Sequence, residues 1–291
     1  MKQKTAVIGG DARYIELIRQ IQKNPDTTID LVGFGSLEQG FIGCNQVEFE
    51  ELKPEEIDAV ILPITGTDEK GNVEPVFSSE TIQLSKEWFA RLNKSAVVFT
   101  GIANKYLKET AEEANIELIS LLNRDDIAIY NSIPTAEGAI MMAIEHTDHT
   151  IHSSHITVTG FGRVGHTLAN KLHALGAQVT VGSNNLRELA RAKEIGMEAY
   201  PLDQLPEKVE HCDLMMNTIP APVIDRTVIE KLPSQCVILD LASKPGGTDF
   251  QFAKRRGIRA ILAKSLPNVV APKTAGKILA DVIQKIMKGE S

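Results

Sequence analysis

Short runs rich in Val, Ile and Leu alternate with segments of helix length along the whole chain, and this alternation narrows the possible folds more than any other property. It is typical of βαβ units, in which a parallel sheet is buried on both faces. The runs predict strands near Thr5–Ile8, Ile29–Val32, Ala59–Pro63, Ala96–Thr100, Glu117–Leu121, Ile156–Thr159, Gln178–Val181, Glu198–Tyr200, Leu214–Thr218, Val237–Leu241 and Ala260–Leu262. We therefore predict an α/β protein with two doubly wound parallel-sheet domains.

The length of 291 residues is sufficient for two domains, each with its own core. We place the first domain at residues 1–132, a bridging helix within 133–150 and the second domain at 151–272. Pro134 fits the first turn of the bridging helix. Apolar residues at helical spacing predict a last helix within 273–291, which could fold back onto the first domain. Further helices are expected at Ala12–Ile21, Ser79–Leu92, Lys105–Ala114 and Val164–Leu175.

The composition excludes several classes of protein. The chain carries 31 Lys+Arg against 38 Asp+Glu, and this acidic balance argues against a broad nucleic-acid interface. The longest apolar stretch, Ala139–Ile144, is too short to cross a bilayer, and we find no signal peptide, so we expect a cytoplasmic protein. Neither the three widely spaced cysteines nor the four histidines within 146–155 have partners suited to a metal site, and none is predicted.

A glycine-rich motif follows the predicted strand Ile156–Thr159 and opens the predicted helix Val164–Leu175. In such a motif the first glycine allows a tight turn, the second lets a pyrophosphate approach the backbone, and the third lets the helix pack close to the strand. The helix N-terminus adds free N–H donors and a positive dipole. The motif predicts a dinucleotide site on Gly160, Phe161, Gly162, Arg163, Val164 and Gly165.

The next strand, Gln178–Val181, is not followed by the carboxylate that would accept the ribose hydroxyls of NAD. Ser183 and Asn184 can donate hydrogen bonds there, and Arg187 or Arg163 can pair with a 2′-phosphate, so we favour NADP over NAD. In the alternative interpretation Ser183 or Asn184 only caps a helix. Other loops at carboxyl ends of strands are expected to line the cofactor, unless they are ordinary turns: Thr218, Ile219, Pro220, Ala242, Ser243, Lys244, Leu266 and Pro267.

Two predicted helix starts carry hydroxyl and charged side chains: Ser132 and Thr135 on one, Lys273 and Thr274 on the other. A helix start of this composition can hold a carboxylate, although capping alone explains the same residues. Glu137 and Lys273 are equally plausible as the general acid or base.

Five stretches of the chain together resemble the A subunits of dipicolinate synthase from spore-forming, Bacillus-type bacteria. They are AVIGGDAR at Ala6–Arg13, RDDIAIYNSIPTAEGAI at Arg124–Ile140, TGFGRVG at Thr159–Gly165, DLASKPGGTDF at Asp240–Phe250 and LPNVVAPKTAG at Leu266–Gly276. The resemblance implies an N-terminal flavodoxin-like domain and a C-terminal NAD(P)-binding Rossmann domain, an arrangement similar to the formate/glycerate dehydrogenases.

The resemblance also implies a function, namely NADP-linked oxidation of dihydrodipicolinate, from the lysine-biosynthesis branch, to pyridine-2,6-dicarboxylate in the sporulating mother cell. It implies a B subunit similar to flavoproteins, with FMN, as partner, and we also expect a homo-oligomer. From their charge and predicted place, and not from the resemblance, we expect Arg13, Ser132, Thr135, Lys273 and Thr274 to hold the substrate carboxylates. Two alternatives stay open, a dinucleotide-binding scaffold or regulatory subunit without catalysis and a dehydrogenase of another small carboxylate.

Overall fold

The computed structural model describes residues 2–37 and 41–290. The chain divides into two compact units, each described here by itself. Unit 1 comprises Met1–Ala128 and Ala271–Ser291, and unit 2 comprises Ile129–Val270. Unit 2 is therefore inserted into the sequence of unit 1.

Unit 1 contains a parallel sheet whose strands follow the predicted apolar runs, apart from a two-residue edge strand that was not predicted. Its elements are β1 (Gln3–Ile8), α1 (Ala12–Ile21), β2 (Thr27–Val32), β3 (Asn45–Gln46), β4 (Ala59–Ile61), β5 (Asn72–Val73), β6 (Ile82–Gln83), α2 (Lys86–Arg91), β7 (Val97–Thr100), α3 (Lys105–Ala114) and β8 (Glu117–Ser120). The sheet order is β3-β2-β1-β4-β7-β8, and β5 pairs with β6 as a separate antiparallel hairpin. Without the two-residue edge strand β3, this is the 2-1-3-4-5 order of a flavodoxin-like sheet, as predicted.

Unit 2 has the second predicted sheet. After α4 (Asp125–His146), which begins in unit 1, come β9 (His155–Thr159), α5 (Arg163–Ala174), β10 (Gln178–Gly182), α6 (Leu186–Glu194), β11 (Glu198–Tyr200), α7 (Leu205–Lys208), β12 (Leu214–Asn217), α8 (Arg226–Lys231), β13 (Val237–Asp240), α9 (Phe250–Arg256), β14 (Arg259–Leu262) and α10 (Leu266–Val270). The order β11-β10-β9-β12-β13-β14, parallel throughout, corresponds to 3-2-1-4-5-6. The predicted Rossmann topology is confirmed.

The last helix, α11 (Pro272–Met287), packs in unit 1 against α1. Its buried Leu279, Val282 and Ile283 join the apolar core on one face of the unit 1 sheet. The two helices touch at Gly276, where an added Cβ would lie 2.1 Å from the carbonyl oxygen of Arg13. Only glycine permits backbones to approach this closely.

The predicted start of the bridging helix at Pro134 is wrong. Helix α4 begins nine residues earlier, with Asp125 and Asp126 in its first turn, and Pro134 lies inside it. An interior proline removes one backbone donor and crowds the preceding turn. Two hydroxyls beside it bond to carbonyls of that turn, since the Ser132 Oγ donates to Ile129 at 2.6 Å and the Thr135 Oγ1 donates to Asn131 at 2.8 Å. The start signal of Pro134 is therefore overridden by the preceding acidic turn.

The predicted helix Ser79–Leu92 is wrong in its first half. The helix is limited to Lys86–Arg91, where the Ser85 side chain accepts the Trp88 N–H as an N-cap. The residues just before it form β6, which pairs with β5. A cap signal at Ser85 and the β-branched Ile82 outweighed the longer apolar pattern.

Helix α4 has the length and apolar content of a membrane span, a property that the search for contiguous apolar stretches missed. Ala136, Ala139 and Ala143 are fully buried in the core of unit 2. The core helix of a folded domain has the same composition, so length and hydropathy alone are weak evidence for a span here.

Candidate dinucleotide site

The glycine loop joins β9 to α5 in the geometry that the motif predicts. Gly160 has a φ of +87°, and an added Cβ would lie 2.4 Å from Thr218 Oγ1. At Gly165 the Cβ would lie 2.1 Å from the carbonyl oxygen of Gly160, so any side chain would push α5 away from β9. These two glycines are required by the fold of unit 2 itself.

The middle glycine has a different role. Gly162 is the N-cap residue of α5, and the nearest atom to an added Cβ is Glu188 Oε1 at 3.9 Å. The protein therefore leaves open the space that a side chain would fill, beside the backbone N–H groups at the start of α5. A pyrophosphate group fits this cradle, because the helix start supplies donors and a positive dipole. Arg163 and Val164 are the first two residues of α5, directly after Gly162.

A buried polar network lies under the neighbouring loops, at the carboxyl ends of three adjacent strands. Thr159 on β9, Asn217 on β12 and Asp240 on β13 are each fully buried. The Thr159 Oγ1 donates to Asn217 Oδ1 at 2.7 Å, and the Asn217 Nδ2 donates to Asp240 Oδ1 at 2.9 Å. Burying these groups is tolerable only because they are paired.

The same network fixes the loops that follow β12 and β13. Asn217 accepts the Ile219 N–H at 3.0 Å and donates to the Ile219 carbonyl at 2.9 Å. Asp240 accepts the N–H groups of Ala242 at 3.0 Å and Gly247 at 2.9 Å. Sequence reasoning missed Asn217 and Asp240, although a polar residue ending a buried strand is a recognisable signal.

The loops after β12 and β13 thus reach the carboxyl edge of the sheet, where the glycine loop also lies. Thr218 touches the glycine loop directly, since its Oγ1 donates to the Thr159 carbonyl at 2.8 Å. Ile219 and Ala242 are half-buried, and the other predicted cofactor residues on these loops are exposed: Pro220, Ser243 and Lys244. The topology brings all of them to one edge, as expected for a doubly wound sheet.

Leu266 and Pro267, which were also predicted to line the cofactor, lie in a different environment. Both are buried at the start of α10. A Cβ added to Gly138 on α4 would lie 2.9 Å from the Leu266 Cβ, so this residue packs against α4. Their apolar character serves the core, and the prediction that they line a cofactor loses its support.

No carboxylate directly follows β10 in the sequence, as the sequence analysis states, but one reaches the end of this strand from the next helix. Glu188 lies in the first turn of α6, and its Oε2 accepts the Ser183 hydroxyl at 2.6 Å and the Phe161 N–H at 3.0 Å. The side chain reaches back from the helix, so a search confined to the residues just after the strand could not find it. Its sequence signal is the spacing Asn185-x-x-Glu188, which is also that of a helix capping box.

The remaining polar residues near β10 have local partners. The Asn184 Oδ1 accepts the Leu202 N–H at 3.2 Å. The Asn185 side chain accepts the Arg187 N–H and caps α6, so neither Ser183 nor Asn184 is the capping residue. Arg187 is exposed on the first turn of α6.

The candidate substrate residues of unit 2 do not form an open helix start. Ser132 is buried within α4, where its Oγ lies 2.7 Å from Thr167 Oγ1 on α5, and Thr135 bonds within the helix. The expected anion-binding helix end at these two residues is therefore wrong, because α4 begins at Asp125. Glu137 is more than half exposed and pairs with Lys171 Nζ at 3.5 Å.

In unit 1 the candidate residues come together at one end of two parallel helices. Gly276 meets Arg13, and farther along the Gln284 side chain donates to the Gln20 carbonyl at 3.0 Å, so α1 and α11 run in the same direction. Because α1 begins just beyond the carboxyl end of β1, the first turn of α11 lies at that same edge. That turn carries the exposed Lys273 and Thr274.

Arg13 itself is not a solvent-exposed cation. It is 7% exposed, and its Nε and Nη2 bind the Asp11 carboxylate at 2.9 and 2.5 Å. Beside it the Tyr14 hydroxyl donates to the Leu62 carbonyl at 2.6 Å, and burial raises the pKa of Tyr14 far above its usual range. Arg13 thus has a carboxylate partner within its own helix start, and Tyr14 stays neutral at physiological pH.

Family models match both parts of the chain. Residues 4–122 match the N-terminal domain of the A subunit of dipicolinate synthase. Residues 123–242 match the NAD-binding domain of D-isomer-specific 2-hydroxyacid dehydrogenases. The second match agrees with the glycine loop and the strand order of unit 2.

Similar proteins cover almost the whole chain. The A subunit of dipicolinate synthase from Bacillus subtilis (strain 168) is 47% identical over 98% of this chain and 95% of its own length. The crystal structure of the corresponding protein from Bacillus halodurans has a TM-score of 0.94 at 48% identity, with 98% of both chains covered. The crystal structure of the Bacillus subtilis protein also has a TM-score of 0.94, at 46% identity, over 100% of this chain and 97% of the other. The chain therefore belongs to the family of dipicolinate synthase A subunits, with a dehydrogenase-type NAD-binding domain as its second unit.

Proposed function

We propose that the protein is an NADP-linked oxidoreductase that oxidises dihydrodipicolinate to pyridine-2,6-dicarboxylate. The observation that carries the proposal is the glycine loop, which is closed by Gly165 against Gly160 and open at Gly162, within a chain of this family. We further propose that it acts in the cytoplasm of the sporulating mother cell. Its partner would be a flavoprotein-like B subunit with FMN.

In this proposal unit 2 binds and orients the dinucleotide. The N–H groups at the start of α5 hold the pyrophosphate, and the loops fixed by Asn217 and Asp240 flank the rest of the molecule. The nicotinamide, when bound, supplies the acceptor for the electron pair that leaves the substrate ring. Loss of two hydrogens makes the ring aromatic, so the chain's own task is largely positioning.

The preference for NADP rests on the end of β10. Ser183, Asn184 and Arg187 lie within six residues of this strand end, and an arginine there can pair with a 2′-phosphate. Glu188 opposes the same preference, because its carboxylate is bonded to Ser183. We keep NADP as the proposed cofactor and NAD as the alternative that the assay compares.

For the two substrate carboxylates we propose Lys273 and Thr274, with Arg13 nearby on α1. Lys273 is the exposed cation of this group, whereas Asp11 already neutralises Arg13. Ser132 and Thr135 are left out of this group, because they lie inside α4 and their hydroxyls are engaged within unit 2. The proton would be taken by Glu137, or by Lys273 if its amine is neutral, in which case Lys273 would not serve as the cation for a carboxylate.

The test is an anaerobic turnover assay of the purified chain with freshly generated dihydrodipicolinate. It compares NADP with NAD, with and without the flavoprotein-like partner, and follows both the reduced nicotinamide and the pyridine dicarboxylate. Glu137→Gln and Lys273→Met are compared with matched changes on the same helices, Glu145→Gln on α4 and Lys277→Met on α11. We expect the two candidate changes to lower turnover and the two matched changes to leave it intact.

The outcomes separate the alternatives. Equal amounts of NADPH and product from this chain alone would support a self-sufficient dehydrogenase. Product only with the partner present would make this chain an obligate component, as in the scaffold hypothesis. Turnover of other small carboxylates in competition with dihydrodipicolinate would point to a different dehydrogenase.

A further inference from the structure

Glu188 does not form the helix capping box that its place in the sequence predicts. At the third position of α6, after the capping residue Asn185, a glutamate ordinarily reaches back to the N–H of the capping residue. Here the Asn185 N–H is bonded to the Ser183 Oγ at 3.1 Å, while the Glu188 carboxylate accepts the Ser183 hydroxyl and the Phe161 N–H. The carboxylate thus ties the end of β10 to the glycine loop.

This place is where a dinucleotide's adenosine ribose lies in a doubly wound sheet. In that fold the ribose 2′-hydroxyl binds a carboxylate at the end of the second strand, about 20 residues after the glycine loop. Ser183 stands at that strand end, and the Glu188 Oε2 is 2.6 Å from its hydroxyl. Glu188 therefore brings a carboxylate, from a helix, to the place where the strand itself has none.

We propose that Glu188 is a specificity-determining residue of the dinucleotide site, whose carboxylate favours the free ribose 2′-hydroxyl and disfavours a 2′-phosphate. The inference rests on the proposed dinucleotide-dependent function. A carboxylate accepts hydrogen bonds from ribose hydroxyls but repels a phosphate. Arg187, the preceding residue on the same turn, has the opposite effect, so the balance between these two charges sets the preference for NADP over NAD.

The test measures binding of two nucleotides that differ only in the 2′-phosphate, adenosine 2′,5′-bisphosphate and adenosine 5′-monophosphate, by titration calorimetry. The variant is Glu188→Gln in the full-length chain, which keeps an oxygen able to accept the Ser183 and Phe161 bonds but removes the charge. Glu194→Gln on the same helix is the matched control, because Glu194 is exposed and pairs only with Arg191 among its described contacts.

We expect Glu188→Gln to shift the ratio of the two dissociation constants about tenfold toward the 2′-phosphorylated nucleotide. The Glu194→Gln ratio should equal that of the unaltered chain. Equal changes for both nucleotides would overturn the inference and make Glu188 a residue that only positions the loop. If the unaltered chain binds neither nucleotide, the proposed function fails as well, so the two failures are distinguishable.

Discussion

The glycines of the motif have different roles, and alanine substitutions at Gly165 and Gly162 should affect stability differently. Alanine at Gly165 would place a Cβ 2.1 Å from a backbone oxygen, whereas alanine at Gly162 meets no atom closer than 3.9 Å. We expect Gly165→Ala to lower the free energy of unfolding of unit 2 by about 2 kcal/mol, the usual cost of forcing extra atoms into a packed site. Gly162→Ala should leave it nearly unchanged.

The effects of the two substitutions on dinucleotide binding should not follow their effects on stability. Gly162→Ala should still lose affinity, because the methyl group fills the space that a pyrophosphate would use. Urea unfolding and calorimetric titration of both variants check the prediction. Undiminished affinity in a folded Gly162→Ala protein would contradict the assigned place of the pyrophosphate.

Among the elements, the ends of β9, β12 and β13 depend on one amide. Asn217 makes four hydrogen bonds through its side chain, and replacement by leucine would remove two bonds from Ile219 and one each from the buried Thr159 and Asp240. We expect Asn217→Leu to lower the free energy of unfolding by about 3 kcal/mol and to weaken dinucleotide binding as the loop after β12 loses its position.

The control for this prediction is Asn170→Leu on α5. The Asn170 side chain is half-buried and, among the described contacts, bonds only to a carbonyl of its own helix. Thermal and urea unfolding should distinguish the two variants clearly. Equal stability of both would mean that the buried network contributes little.

The strands could be predicted and several polar roles could not. Apolar runs report burial directly, and so the parallel strands of both sheets were found within about two residues, except the exposed edge strand β3, which was missed. The start of α4 was missed because Pro134 signals a first turn locally, while the helix begins at the acidic turn of Asp125 and Asp126 and buries Ile127 in a core that the sequence does not show. Glu188 was missed because it lies on α6, five residues after Ser183, and only the folded structure shows that its side chain extends back to the end of β10.

At the scale of the whole molecule, unit 1 is made of two separate stretches of sequence. Its core includes Leu279, Val282 and Ile283 from α11, which follows unit 2 in the chain. A chain ending at Val270 would lose these buried side chains, each contributing about 2 kcal/mol. We expect unit 1 to unfold and unit 2 to keep its cooperative unfolding and its dinucleotide binding.

Amide hydrogen exchange checks this prediction, since protection should disappear from β1, β2 and β4 and persist in β9, β10 and β12. A chain ending at Met287 keeps the whole of α11 and serves as the control. Loss of protection in both sheets of the shortened chain would show that the units do not unfold independently.

The close contact at Gly276 also has a consequence for how the protein is made. On the ribosome the sheet of unit 1 emerges before unit 2, yet α11, the partner of α1, is synthesised after unit 2, since Gln20 and Gln284 are 264 positions apart in the sequence. At about 5 to 20 residues per second, the apolar face of α1 waits on the order of ten seconds or more for its cover. During that interval unit 2 can fold completely, so unit 1 emerges before unit 2 but completes its fold after it, and the uncovered apolar face of α1 is open to aggregation in the nascent chain.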